Sequence, residues 1–173
     1  MLEKSETEVN ALSVIIFEVE GEQFAIDLLH AREIIQQGQI RRLPQTFEFI
    51  EGIYNYRGDI IYVINLSKKL ELHKYKSYKS EDVEEEDEEA SDEKYLVIVN
   101  INKVNTGLLV DRIINISHIK NKEIVGLSPI FETSISMEYI DGIIKFKDRP
   151  RILLNVDKIL TEAEQVKIQK ELS

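Results

Sequence analysis

From Ser13 onward the chain is written in short apolar runs separated by Gly- or Asn-containing breaks. Val14 to Glu20, a break at Gly21-Glu22, and Gln23-Phe24-Ala25-Ile26 predict a β-hairpin. Leu28, Leu29, Ala31, Ile34 and Ile35 then fall at near-helical spacing and predict a short helix closed by Gly38. Leu43-Pro44 breaks the chain. Phe47 to Asn55 leads into the turn Tyr56-Arg57-Gly58-Asp59, and the continuous apolar run Ile60 to Leu66 predicts a buried strand. Ser67-Lys68-Lys69-Leu70 predicts the cap and first turn of a short helix. Strand patterning resumes at Tyr95 to Ile101, turns over Lys103 to Thr106, and continues through Gly107 to Ile113 and Ile116 to Ile119. Leu160 to Leu172 predicts a charged helix with a weak apolar stripe of Leu160, Ala163, Ile168 and Leu172, packed on the rest of the fold.

Between Lys74 and Lys94 the periodicity disappears, and with almost nothing apolar to bury, this stretch predicts a mobile loop. On either side of it lies a diverged internal repeat. Phe49 to Leu70 superimposes on Tyr139 to Leu160 at a constant offset of 90, with Ile50/Ile140, Gly52/Gly142, Ile53/Ile143, Asn65/Asn155, Lys68/Lys158 and Leu70/Leu160 identical. Each copy reads as a glycine-started strand, a turn, an apolar strand, an Asn and one helical turn. The pattern predicts an all-β protein of two similar lobes. Residues 1–12 form a tail, and the domain spans 13–161. Within it the first lobe is mainly 13–73, the acidic loop 74–94 and the second lobe mainly 95–161, with the terminal strands free to exchange; 162–173 form the C-terminal helix. Lobes of this size are marginal alone, so they are expected to pack together and unfold together.

Composition changes the picture in one place. The net charge is −10, yet residues 81–93 hold ten acids and no base; removing them leaves 22 acids against 22 Lys and Arg. The body is neutral, which argues against a nucleic-acid surface. No run of eighteen apolar residues occurs and no hydrophobic signal core stands at the N-terminus, so no membrane insertion is expected. With no cysteine, disulfides, thiolate metal sites and cysteine nucleophiles are excluded, which suits a cytoplasmic protein. His30, His73 and His118 lack metal-ligand spacing, and there is no phosphate-binding glycine loop and no nucleophile motif. No catalytic residue, metal or cofactor is therefore expected.

The ordered phrases resemble the CheW family of chemotaxis coupling proteins. They are Phe17 to Asp27, Ala31-Arg32-Glu33-Ile34, Leu43-Pro44, Phe49 to Gly58 and Val63-Ile64-Asn65-Leu66. The second half adds Gly107 to Ile113, Glu138 to Gly142 and Leu153 to Leu160. The Gly-x-x-Asn-x-Arg-Gly phrase at Gly52 to Gly58 is the most specific of them. The resemblance implies two SH3-like five-stranded barrels, no activity and no cofactor. It also implies two protein partners, the cytoplasmic tip of a methyl-accepting chemoreceptor and the regulatory domain of a CheA-type histidine kinase. The adaptor would lie in the cytoplasm, joined to membrane-anchored receptor arrays through those partners. Glu33, Arg57 and Gly58 match receptor-contacting positions, while Gly52, Ile40 and Leu43 are assigned to coupling and the kinase side. The chain departs from the family in its long acidic insert, in Tyr56 and in Ala31.

On spacing alone, Arg57 is a turn arginine, either solvated or held as a planar donor fork for a partner carboxylate. Gly52 and Gly58 suit positive φ, and Glu33 reads as an exposed acid after an apolar stripe. The acidic run reads as a solvated spacer, a weak divalent-cation binder or an electrostatic contact for a basic partner. Three other functions fit less well: the same fold in another motility or signalling pathway, an RNA-binding barrel, and a barrel with a carboxylate site.

Overall fold

A computed structural model of the protein describes residues 11–36, 38–42, 44, 47–72, 93–126 and 135–172. Leu43, His73 and the acidic run as far as 92 lie outside these residues. The first half contains β1 (Ala11–Val19), β2 (Glu22–Asp27), β3 (Ala31–Gln36), β4 (Ile50–Tyr56), β5 (Asp59–Asn65) and α1 (Leu66–Lys69). The second contains β6 (Tyr95–Ile101), β7 (Val104–Val110), β8 (Arg112–Lys120), β9 (Ile124–Val125), β10 (Ile140–Lys145), β11 (Pro150–Leu154) and α2 (Glu162–Leu172).

These strands form two sheets, each curled on itself. Lobe I has the order β3-β6-β7-β5-β4, and a backbone bridge from Arg41 to Ile53 joins the segment after β3 to β4. Lobe II has the order β8-β1-β2-β11-β10-β9. There β8 passes through one 3-10 turn, Asn121–Glu123, into β9, which pairs with β10. One bent run thus borders both edges, so lobe II also counts five strands around. Closure removes the exposed edges that would otherwise recruit other strands.

The sheets do not follow the two halves of the sequence. Hairpin β1–β2, from the first repeat, pairs with β8 and, in parallel, with β11 of the second. Hairpin β6–β7, from the second repeat, pairs with β3 and, in parallel, with β5 of the first. Each lobe is therefore completed by the other repeat's hairpin, and a division of the lobes at the acidic run is replaced by a reciprocal exchange.

The exchange explains the apolar runs. In β1, Val14 and Ile16 point into lobe II, whereas Ile15, Phe17 and Val19 enter a central core between the lobes. In β6, Leu96 and Ile98 point into lobe I, and Val97, Val99 and Ile101 join the same central core. Strands buried on both faces read as continuous apolar text. At roughly 1.5–3 kcal/mol per buried side chain, the shared core ties the lobes into one unit. Lys69 is buried with it. Its Nζ bonds both carboxylate oxygens of Glu164 on α2 (2.9 and 3.0 Å) and lies over the Phe49 and Tyr139 rings at 4.3 and 5.3 Å.

The repeat is visible in detail. The Asn65 amide donates to the Phe49 carbonyl (2.7 Å), and the Asn155 amide to that of Tyr139 (2.8 Å). Each Asn side chain caps the following turn and donates to an acid of the glycine-started strand, Glu51 or Asp141. The cap of α1 is thus Asn65 rather than Ser67. The turn after β6 is Asn102-Lys103, so β7 already begins at Val104.

Two helical expectations need correction. Leu28–His30 make a single 3-10 turn, and Ala31–Gln36 is strand β3, paired with β6. An available edge on β6 outweighs weak helical spacing in a segment rich in isoleucine, and it leaves Leu29 and Ile34 exposed instead of stacked on one face. Of the stripe expected along the C-terminal helix, Leu160 lies before α2 and is buried, Ile168 on α2 is buried, Ala163 is exposed, and the Leu172 side chain lies outside the description. No helix among the described residues is long and apolar enough to cross a membrane.

Candidate functional site

The β4–β5 hairpin closes through two residues, with Tyr56 paired to Asp59 and Arg57 and Gly58 at φ +52° and +88°. Positive φ at both central positions is the I′ pattern that matches strand twist. Asn55 Oδ1 accepts the Gly58 amide at 3.0 Å and stiffens the turn. Glu20-Gly21 and Asn102-Lys103 repeat the pattern at the other two tight hairpins, so the backbone conformation of Arg57 is hairpin chemistry and not by itself a mark of function.

What distinguishes Arg57 is what stands beside it. Its Nη2 donates to Glu33 Oε2 at 3.2 Å, although the residues are 24 apart in sequence. Pairing of β3 with β6 presents Glu33 there, past an irregularity between Ala31 and Glu33 in the register. The Arg57 guanidinium also lies 5.5 Å from the centre of the Tyr56 ring. Burial pushes the Tyr56 phenol above its ordinary range, a hydrogen bond with Glu33 adds to the rise, and the charge of Arg57 pulls it back. Glu33 therefore holds two partners while the Arg57 side chain stays 74% exposed. A guanidinium so fixed keeps spare N–H donors aimed at solvent.

Gly52 fills a different need from the one its sequence context suggests. Its φ is not in the left-handed region; rather, a Cβ would strike the Arg41 carbonyl oxygen, with Arg41 C at 2.9 Å and Ile40 Cγ2 at 3.0 Å. Gly142 meets the Val125 carbonyl oxygen (2.8 Å) in the same way. Each glycine lets the closing segment lie against its strand. Gly58, by contrast, does have positive φ, with open space around it.

Beside this seam runs a groove of about 470 Å³ lined by Gln39, Ile40, Arg41, Ile53, Tyr54, Asn55 and Ile60. Ile40 and Gly52 are thus brought together, and Leu43 lies outside the described residues. Sequence reasoning missed Ile60, which is 54% exposed. It also missed Tyr54. Alternation from the buried Ile61 would have put Ile60 outside, but the unbroken apolar run hid it. Of the departures from family pattern, Tyr56 is buried within lobe I and Ala31 packs against the central core.

Among the described residues, no group of three His, Asp or Glu is placed to hold a metal ion. His30 lies 3.9 Å from Asp157, and His118 Nδ1 is 2.7 Å from Ser13 Oγ.

The family model for the CheW-like domain matches residues 13–164. A chemotaxis protein CheW of Treponema pallidum is 28% identical, with 90% of this chain and 85% of the relative covered. One from Thermotoga maritima is also 28% identical, covering 86% and 87%. The crystal structure of the scaffolding protein TtCheW from Thermoanaerobacter tengcongensis superimposes with a TM-score of 0.72 at 27% identity, over 87% of this chain and 88% of that one.

Proposed function

This chain belongs to the CheW-like family of non-catalytic chemotaxis scaffold proteins, and from that premise we propose that it couples a chemoreceptor to a CheA-type histidine kinase through two surfaces of lobe I. The receptor surface is the corner of Glu33, Arg57 and Gly58. The kinase surface is the neighbouring seam of Gly52 and Ile40 with the groove beside them, Leu43 belonging to it by sequence position.

The observation that carries the reading is the Glu33–Arg57 pair. A fixed, exposed guanidinium with spare donors suits the carboxylates or terminal carbonyls of a partner helix, and Gly58 leaves room for a partner backbone. Leu29, on the 3-10 turn before the strand that carries Glu33, and Ile34, next to Glu33 on that strand, are exposed apolar side chains. The seam offers an open groove that mixes the apolar Ile40, Ile53 and Ile60 with the polar Gln39, Arg41 and Asn55, which suits protein contact. Holding receptor and kinase in register transmits a receptor movement as a shift in the kinase's conformational equilibrium, for which couplings of about 1–3 kcal/mol suffice. Weak single contacts gain strength by assembly into arrays on the cytoplasmic face of the membrane.

A pull-down from lysate with wild-type protein and with Arg57→Ala tests the assignment. Receptor recovery is expected to fall while kinase recovery persists and the thermal unfolding profile is unchanged. Equal recovery of both partners removes Arg57 from the receptor surface.

A further inference from the structure

In the order β3-β6-β7-β5-β4 the two edge strands of lobe I are β3 and β4. Glu33 stands on the first, and Tyr56 ends the second. Glu33 lies two residues from Ile35 on β3, so they share a face, and Ile35 packs against the lobe I cluster that contains Tyr56. Tyr56 is 8% exposed, and its hydroxyl donates to the Glu33 carboxylate. That carboxylate also accepts from Arg57 Nη2 at 3.2 Å, and the guanidinium lies 5.5 Å from the Tyr56 ring centre. Three side chains from two edges thus close a ring of contacts. Arg57 and Glu33 stand at its exposed end, and the Tyr56 ring is rooted among Ile61, Val63, Leu96 and Ile98.

An exposed ion pair made through a single nitrogen holds long side chains poorly, because water and side-chain entropy compete with it. A hydroxyl on a packed ring has no such freedom, so it fixes the carboxylate that it touches.

Lobe II is built without this contact. Ile16 and Ile98 each stand four residues before the turn of their hairpin, Glu20-Gly21 or Asn102-Lys103. They face Asn115 and Glu33, each beside an irregularity in the register, so Asn115 holds the place of Glu33. At the offset of 90, Phe146 holds the place of Tyr56. Asn115 Oδ1 accepts from Ser117 at 3.1 Å, and Arg151 lies 4.5 Å from the centre of the Phe146 ring. A barrel of this kind therefore closes with neither the hydroxyl nor the carboxylate, and both occur in the lobe that carries the partner surfaces.

We propose that Tyr56 is a positioning residue for the receptor corner: its hydroxyl anchors Glu33, and Glu33 anchors Arg57, so that the guanidinium meets its partner already oriented. Orientation before contact removes part of the ordering cost of binding. The receptor half of this statement rests on the assignment above; the anchoring does not.

Tyr56→Phe removes the hydroxyl and keeps the ring, leaving the residue type that lobe II already uses at Phe146. In the isolated protein, NMR relaxation of the Arg57 Nε–H group should show a loss of order comparable to that in Glu33→Ala, with cooperative unfolding retained. Affinity for the receptor recovered in the pull-down should fall about 3–10-fold, the worth of one hydrogen bond. Kinase affinity should change less than about 2-fold, because the hydroxyl does not face that surface in the ring of contacts. In an Arg57→Ala background, Tyr56→Phe should cost receptor affinity less than about 2-fold, since the hydroxyl acts through the guanidinium. Unchanged Arg57 order in Tyr56→Phe overturns the proposal, as does an equal loss of receptor affinity in the Arg57→Ala background. If Arg57→Ala leaves receptor recovery whole, the receptor assignment falls, and the Arg57 order in the partner-free protein still decides the anchoring.

Discussion

Gly52→Ala is a sensitive probe of how lobe I is shut. The added methyl would sit far inside van der Waals contact with the Arg41 carbonyl oxygen, and also against Arg41 C (2.9 Å) and Ile40 Cγ2 (3.0 Å). Backbone cannot swing aside as a side-chain tip does, so relief requires the 40–41 segment to retreat from β4. That segment is held by two backbone bonds, Arg41 N to Ile53 O and Ile53 N to Arg41 O, both 2.9 Å. A hydrogen bond stretched to about 3.6 Å is effectively gone. Losing both costs about 1–3 kcal/mol at roughly 0.5–1.5 kcal/mol each, and the residual overpacking adds about 1–3 kcal/mol. The expected loss in unfolding free energy is therefore about 2–6 kcal/mol by urea titration. Hydrogen exchange should show the amides of Arg41 and Ile53 losing protection before those of the central core. Gly142→Ala meets the milder 2.8 Å contact with Val125 O and should cost less; Gly126→Ala meets nothing and should stay within about 0.5 kcal/mol of wild type. Displacement of Ile40 should also weaken kinase binding more than receptor binding. Stability for Gly52→Ala within about 0.5 kcal/mol of wild type, or retained protection at Arg41 and Ile53, refutes the steric argument.

Three further outcomes are expected. Glu164→Gln leaves the buried Lys69 charge uncompensated and should destabilise by about 2–4 kcal/mol, whereas the double change Lys69→Met with Glu164→Met should cost less than either single change in a double-mutant cycle. Asp148 is held below its usual 3.8, first by its two hydrogen bonds with Arg151, at 2.9 Å each. A depressed carboxyl contributes stability above its unfolded pKa and loses it as pH falls through the folded value. The stability gap between wild type and Asp148→Asn should accordingly be full near neutrality and shrink below pH 3.8 in acid titrations followed by circular dichroism. Fragments 1–73 and 94–173, each lacking the hairpin that completes its sheet, should show no cooperative unfolding alone and regain it when mixed; a cooperative transition in either fragment by itself would contradict the exchanged topology.

Much of the local structure was legible because it depends on neighbours in sequence. The hairpins at Gly21 and Gly58 and the Asn65/Asn155 correspondence follow from turn chemistry and from a repeat that preserves both capping and strand pairing. Candidate contact residues were legible singly, through resemblance. Glu33 and Arg57 were named together without any sign that one donates to the other, because that contact depends on how β3 and the β4–β5 turn lie in a closed sheet. The positive φ read for Gly52 does not occur, and its close approach was hidden, since a carbonyl oxygen arriving from another segment leaves no trace in the residues on either side. Ile60 and Tyr54 were hidden because a run that is apolar throughout does not reveal which side chain will be left uncovered.

By itself, then, the order of residues determined the strand content, the two-fold repeat, the neutral body and the acidic run, all properties of short windows or of composition. Tertiary structure alone decided which hairpin joins which lobe, that Ala31–Gln36 is strand rather than helix, and which side chains converge on the lobe I seam. The reason is that both faces of β1 and β6 are apolar, so alternation could not tell the lobe interiors from the core between them. Only the simultaneous burial of both faces, possible once each repeat lends its hairpin to the other, selects one arrangement.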